Sequence, residues 1–338
     1  MKEFDLIDRI AHRTGPVPHV LRGIGDDTAV LERNAFDLVT VDTMVENIHF
    51  RLDWSSAAQV GWKLMSSNLS DVAAMGGRPG TYFLALSIGT NVDEEWVASL
   101  FDGLEAAADA MAGAHVRVSG GDTTRSPGPT VLTLTLLGSS AAAGPVLRSG
   151  ANPGDILFLV GPVGLAAAGL QVLDMESRGE YVDKEQWRRL IAAHQQPVCQ
   201  VAAGVAIGDA GIASAMVDIS DGLMQDIGHI LRASDVGARI SLDKVPVDPD
   251  IARLSATLMR APWDWVLSGG DDYALAVTVP PTAADALRQL SDKVGFGAAP
   301  IGKITEQRGV VLVGPDGTPT QWDAGPGYEH RLGAVGDE

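Results

Sequence analysis

Strand and helix patterns that alternate along the chain predict a mixed α/β (α+β) fold in two domains. Three observations carry that expectation. The chain has 338 residues, 46% of them hydrophobic, which is enough for more than one core. Short apolar runs alternate with longer amphipathic stretches in both halves. Residues 139–153 (SSAAAGPVLRSGANP) are small and turn-rich, as a connection between domains is. The expected division is therefore 1–140 and 141–338.

Taken in order, residues 3–12 read as a short amphipathic helix, with Phe4, Leu6, Ile7 and Ile10 near one face. Strands are expected at 29–31 and 37–41, the second ending at Asp42. Ser55 or Ser56 caps a long helix to about Ala74, with Val60, Leu64, Leu69 and Val72 as its core stripe. Asp71 falls near the end of that helix, where the helix dipole disfavours an anion, so a nearby cation is expected. A strand over 82–88, a helix from Asp93 to Ala112, a strand at 116–118 and another over 130–137 complete the first half. The second half opens with a strand at 155–160, then Gly161-Pro162-Val163-Gly164, which resembles a phosphate loop, and an alanine-rich helix to about Glu176. Helices at 184–193 and 198–207 follow, then a strand at 215–217 that ends in Asp218. Asp221 is expected to cap a helix over 223–233. Strands are expected at 239–242, 273–279, 299–304 and 310–313, with Pro315-Asp316-Gly317 as a hairpin turn.

Composition narrows the function. Formal charge is −18 and no basic cluster interrupts it, which argues against nucleic acid and anionic lipid as partners. No apolar run is long enough for a membrane span, and the acidic, amphipathic start is unlike a signal peptide. The single cysteine, Cys199, fits a reducing, cytoplasmic setting.

Acidic patches recur beside glycines or after apolar runs: Gly25-Asp26-Asp27, Val41-Asp42-Thr43, Ser70-Asp71, Gly120-Gly121-Asp122, Asp218-Ile219-Ser220-Asp221-Gly222 and Gly270-Asp271-Asp272. Any one of them is ordinary turn or cap chemistry. The set is what points to function. Carboxylates are the oxygen donors that Mg²⁺ takes, and glycine lets backbone N–H groups approach phosphate. Two like charges ~4 Å apart repel by about 4 kcal/mol at an effective dielectric of 20, so carboxylates gathered beside phosphates need bridging cations. The expectation is one cleft in which aspartates hold Mg²⁺ and Mg²⁺ holds ATP. The P-loop, protein-kinase, EF-hand and zinc patterns are all missing from the sequence. Arg148 can fork onto a phosphate, and His49 can face a substrate. Trp263, Trp265, Trp322 and Tyr328 are aromatic side chains able to stack on a heterocycle.

In this order, Gly25-Asp26-Asp27-Thr28-Ala29, His49-Phe50, residues 68–77 (NLSDVAAMGG), Gly120-Gly121-Asp122, residues 218–223 (DISDGL) and Gly270-Asp271-Asp272-Tyr273 resemble the thiamine-monophosphate kinase family. That family belongs to an ATP-binding superfamily with aminoimidazole ribonucleotide synthetase. The resemblance runs from Phe4 to about Leu332. It implies an N-terminal mixed-sheet domain that binds ATP and pairs with a second subunit as a homodimer, and a C-terminal α/β domain that completes the site. It implies Mg-assisted in-line transfer of the ATP γ-phosphoryl group to thiamine monophosphate, giving thiamine diphosphate. Carried over by motif, the magnesium ligands are Asp27, Thr40, Asp42, Thr43, Asp71, Asp122, Asp218 and Asp221, and Asp27, Asp71, Asp122 and Asp218 are the catalytic set. Gly121, Asp122, Arg148 and Ser220 hold ATP. His49, Asp271 and Tyr328 line the thiamine site, with Trp322 competing for the aromatic role. The family often has glutamate where Asp271 stands and glycine where Asn47 stands. Alternatives are a selenophosphate or aminoimidazole ribonucleotide synthetase of the same superfamily, or a non-catalytic acidic metal-binding protein. The first of these normally needs a reactive Cys or selenocysteine near the N-terminus, and Cys199 is far along the chain.

Overall fold

The computed structural model describes residues 17–22, 30–32 and 36–321. Asp26, Asp27, Trp322, Tyr328 and the helix expected over 3–12 lie outside them.

After a small antiparallel pair, β1 (Val20–Arg22) with β2 (Val30–Leu31), the N-terminal half forms one four-stranded sheet. Its elements run β3 (Leu38–Val45), α1 (Ala57–Ala74), β4 (Arg78–Ile88), α2 (Glu94–Met111), β5 (Arg117–Arg125) and β6 (Val131–Ser139). The sheet order is β3-β6-β4-β5, antiparallel except where β4 meets β5. Ser56 starts α1 with a reciprocal capping box to Gln59, and Asp93 caps α2 through the Trp96 N–H at 2.9 Å. Both helices lie on one face, where Leu64, Leu69, Leu100 and Leu104 bury against Tyr82, Leu132, Leu134 and Leu136. The other face stays open, with Val39 66% and Val41 56% exposed.

Two sequence expectations change here. Asp42 was expected at a strand end and Gly120-Gly121-Asp122 in a loop, but both lie inside strands. Asp42 pairs with Leu134 within β3, and Asp122 pairs with Ala85 within β5. Pairing with a neighbour overrides the turn preference of Gly and Asp. Gly121 is the clearest case, because a Cβ there would sit 2.0 Å from the Leu84 carbonyl oxygen.

The C-terminal half builds a seven-stranded sheet from β7 (Ile156–Val160), β8 (Ala215–Ile219), β9 (Gly237–Ser241), β10 (Ala274–Val279), β11 (Ala298–Thr305), β12 (Gly309–Val313) and β13 (Pro319–Gln321). Its order is β13-β12-β9-β11-β7-β10-β8, and only β9 and β12 run parallel. Every residue of β8 and β10 is buried, which explains why both are apolar apart from Asp218 and Thr278. The helices are α3 (Leu165–Ser177), α4 (Lys184–Gln195), α5 (Val201–Ala210), α6 (Leu223–Ser234), α7 (Pro249–Leu258), α8 (Trp263–Ser268) and α9 (Ala284–Val294). The sequence reading missed the last three. Asp248 capping α7 with Pro249 at its first position was the readable signal. Trp265 packs in the C-terminal core with Trp263 against it, so neither is a stacking platform.

The two halves meet through α1 and α5. A Cβ on Gly204 would stand 2.3 Å from the Ala73 carbonyl oxygen, so backbone meets backbone there. Pro197 O accepts from Trp62 Nε1 at 2.7 Å and from Ser66 Oγ at 2.9 Å. These contacts set the cleft described next.

Candidate active site

A cavity of about 860 Å³ is lined by β3 and α1 from the N-terminal half and by the end of β8 and the turn before β10 from the C-terminal half. Asp42, Asp71, Asp218, Asp221 and Asp271 all line it, as do Thr43, His49 and Ser220. Alternation along β3 puts Thr40 and Asp42 on the side of the sheet covered by α1. Thr40 Oγ1 donates to the Asp71 carboxylate. From the other half, Asp218 enters on β8 and accepts from Ser70 Oγ at 2.8 Å. Asp71 and Asp218 thus converge although they are far apart in sequence.

Their charges are poorly compensated. Burial pushes the Asp71 carboxyl up to about 7, and Asp218 and Asp42 add repulsion against the pull of Thr40 and Arg148. Asp218 is also pushed up to about 7, first by burial and then by Asp226 and Asp42, while Ser70 and Arg148 oppose it. Burial raises Asp42 too, with Ser67 opposing and Asp221 assisting. Arg148, in the connection between the halves, is near enough to favour the ionised forms of Asp71 and Asp218.

Among the described residues, no group of three or more Asp, Glu, His or Cys side chains is arranged to hold a metal ion by itself. Mg²⁺ rarely uses such a cage. It rests on one or two carboxylates and takes its other ligands from water and substrate phosphates. Hard oxygen donors crowded until burial and repulsion raise them fit that requirement.

A stability prediction arises here. Asp71 and Asp218 stand near 7 in the fold against an ordinary 3.8. Their contribution is complete below the ordinary value and is lost as pH rises through about 7. Chelator-treated protein should therefore lose Tm as pH is raised from about 5.5 to about 8, and Mg²⁺ should restore more of it at the higher pH. Equal Mg²⁺ shifts at both pH values would contradict the crowding.

The turn before α6 is held from below. The Asp226 carboxylate, 3% exposed, accepts from the backbone N–H groups of Ser220, Asp221 and Gly222 at 3.1, 3.0 and 3.1 Å. This corrects the expectation that Asp221 caps α6. Gly222 is the cap position, without a side-chain bond, and Asp226 satisfies the N–H groups instead. Asp221 is left to face the cavity. The signal, an aspartate in the first turn four residues after Gly222, was readable but had no motif attached.

The Gly270-Asp271-Asp272 turn divides its two carboxylates. Asp272 turns inward and accepts from Ala166 N at 3.1 Å and from Gly164 N, at the start of α3. The N–H groups of Gly164 and Ala166, at the end of the loop expected to hold phosphate, are therefore taken by the protein's own carboxylate. Asp271 lies at the cavity, paired to Lys63 at 2.8 Å. His49 Nδ1 accepts from the Val45 N–H at 3.0 Å, so a neutral ring carries its proton on Nε2.

Of the remaining sequence candidates, Thr43 reaches only the rim of the cavity, and Gly121 and Asp122 sit elsewhere. Thr43 alternates to the open face of the sheet, where its hydroxyl shares a hydrogen bond with Thr133 at 2.9 Å. Gly121 and Asp122 are exposed on β5, at the sheet edge opposite β3. Cys199 is buried in the N-terminal core and burial pushes its thiol up to about 12, which suits an inert side chain. Lys63, His194 and Asp226 were missed by sequence reasoning.

Comparison with known proteins agrees with this architecture. The family model for the AIR synthase related protein N-terminal domain matches residues 25–140, and that for the C-terminal domain matches 152–314. A thiamine-monophosphate kinase of Escherichia coli (strain K12) is 37% identical over 332 residues, covering 97% of this chain and 98% of its own length. The crystal structure of thiamine-monophosphate kinase from Stenotrophomonas maltophilia K279a superposes with a TM-score of 0.81 at 34% identity, over 95% of this chain and 98% of that one. A solved structure of AaThiL complexed with AMPPCP and TMP superposes at 0.73, with 28% identity over 94% of each chain.

Proposed function

Because the chain belongs to the AIR synthase related proteins and, within them, to the thiamine-monophosphate kinases, we infer that its cleft phosphorylates thiamine monophosphate with ATP. The product is thiamine diphosphate. The observation that carries this reading is the meeting of Asp42 and Asp71 from the N-terminal half with Asp218 and Asp221 from the C-terminal half at one cavity.

Asp42, Asp71, Asp218 and Asp221 would hold Mg²⁺, with Thr40 fixing Asp71 by its hydroxyl and Asp27 belonging to the same set. When bound, Mg²⁺ supplies positive charge that neutralises phosphate oxygens and aligns them for in-line displacement. Ser220 and Arg148 would contact ATP, the second by a bidentate hydrogen bond. His49 and Asp271 would face the thiamine end, together with Tyr328 or Trp322. An oxygen of the acceptor phosphate bonds to the γ-phosphorus while the bond from that phosphorus to the ADP oxygen breaks. The acceptor oxygen is already ionised at neutral pH, so no strong general base is required. Transfer is direct, without a phosphoenzyme.

We also propose a homodimer that joins the open faces of two N-terminal sheets. The exposed Val39 and Val41 favour it. So does the position of Asp122 and Gly121 on an edge strand, where a second copy rather than the same chain can bring them to a cleft. Size-exclusion chromatography with light scattering should give twice the chain mass, and V41E should shift it toward the monomer; an unchanged dimer in V41E removes this face from the interface. No helix among the described residues is long and apolar enough to cross a membrane, and the cytoplasm is the proposed location.

The function is tested by incubating the protein with thiamine monophosphate, ATP and Mg²⁺ and separating products by HPLC. Thiamine diphosphate should form in step with ADP. Thiamine and aminoimidazole precursors should give none. Product from either control, or ADP release without thiamine diphosphate, rejects the assignment.

A further inference from the structure

A lysine stands on the buried side of α1. Lys63 lies one turn after Val60, and its side chain is only 6% exposed. A buried ammonium persists when it is paired, and here Nζ meets Asp271 Oδ2 at 2.8 Å. The pair crosses from the N-terminal helix to the C-terminal turn. The other carboxylate oxygen, Oδ1, accepts from the buried Tyr273 hydroxyl at 3.2 Å. Both oxygens of Asp271 are therefore held.

The backbone alone does not favour this placement. Asp271 and Tyr273 have φ of +65° and +50°, a region that non-glycine residues seldom adopt. The turn is fixed by contacts: Asp271 N and Tyr273 N donate to Ser220 O and Ile219 O, each at 2.8 Å. His194 stands beside the pair, and burial followed by the Lys63 charge pushes its ring down to about 3. For Asp271 itself, burial acts upward, but the Lys63 charge, then His194 and the hydrogen bonds from Lys63 and Tyr273, outweigh it and hold the carboxyl below its ordinary range. Lys63, His194, Asp271 and Tyr273 all line the cavity.

We propose that Lys63 is a positioning residue for the thiamine end of the cleft: its ion pair across the two halves fixes where and how Asp271 presents its carboxylate to the substrate. This rests on the assignment of Asp271 to that end. Lys63 acts on one substrate, not on the phosphoryl donor.

Steady-state kinetics with each substrate varied separately test it, using K63M, D271N and K63M/D271N with Mg²⁺ present. D271N and K63M should each raise KM for thiamine monophosphate about tenfold, with kcat and KM for ATP within about twofold of wild type. The double variant should match D271N, because the lysine works only through that carboxylate. If D271N leaves KM for thiamine monophosphate unchanged, the assignment of Asp271 and this proposal both fall. If D271N raises it and K63M does not, or the two effects multiply, the Lys63 proposal alone falls. K63M leaves a carboxylate without its counter-charge and is the variant at risk of misfolding. K63M/D271N leaves no charge unpaired, and a KM above that of D271N by a further tenfold overturns the proposal by itself.

Discussion

Asp71→Asn is expected to lower turnover by about a thousandfold or more while raising the Tm of the metal-free protein. The two effects have one cause. Asp71 is crowded by Asp218 and Asp42, with burial raising its carboxyl to about 7. Asparagine keeps the shape and still accepts from Thr40 through its amide oxygen, but removes one of the repelling charges. The apo fold gains what the loaded site loses, as expected where charges are gathered for function at a cost in stability. Single-turnover kinetics with ATP and thiamine monophosphate, beside thermal melts in chelator and in Mg²⁺, would show it. Wild-type turnover would remove Asp71 from the catalytic set. Loss of turnover with a lowered apo Tm would make its role structural.

Asp226→Ala carries the second large effect. Three backbone N–H groups converge on one oxygen of this carboxylate, and alanine leaves all three without it. Each unsatisfied buried group costs about 1–3 kcal/mol, and since two of the three are only partly buried the expected loss is about 3 kcal/mol. Activity should fall further than stability, because the same N–H groups fix the turn that presents Ser220 and Asp221. Asp226→Asn is the informative control. Its amide oxygen can take the place of Oδ2 and accept all three bonds. Burial already pushes the carboxyl up to about 7, so neutralising it should cost less than about 1 kcal/mol. Urea melts and kcat on both variants decide the matter: an asparagine as damaging as alanine means that the charge, not the acceptor, is required.

Much of the fold was legible because local signals agreed with tertiary packing. Ser56 with Gln59 and Asp93 with Trp96 announce α1 and α2 by chemistry completed within one turn. The apolar runs of β7, β8 and β10 read as strands because they are buried on both faces. The three missed helices have short or mixed apolar patterns, and their stability comes from packing on the C-terminal sheet. Strand ends were read too early at Asp42 and Gly120 because glycine and aspartate carry turn preferences that a paired neighbour overrules.

The sequence by itself determined the chemical inventory: acidic patches in a distinctive order, one remote cysteine, a net negative charge and an α/β alternation. Those are properties of residue type and near-neighbour spacing, which a chain carries before it folds. Which aspartates meet was decided only by the tertiary structure. Asp71 and Asp218 converge because α1 packs on α5 at Gly204, and Asp221 is released to the cavity because Asp226 takes the turn's N–H groups. Asp271 and Asp272 are adjacent in the chain, yet one lines the cavity and the other caps α3. Apart from the Asp226 turn, whose partners lie within six residues, burial and hydrogen-bond partners at these positions come from residues far along the chain, 148 places away for Ser70 and Asp218 and 208 for Lys63 and Asp271, and no local pattern encodes them.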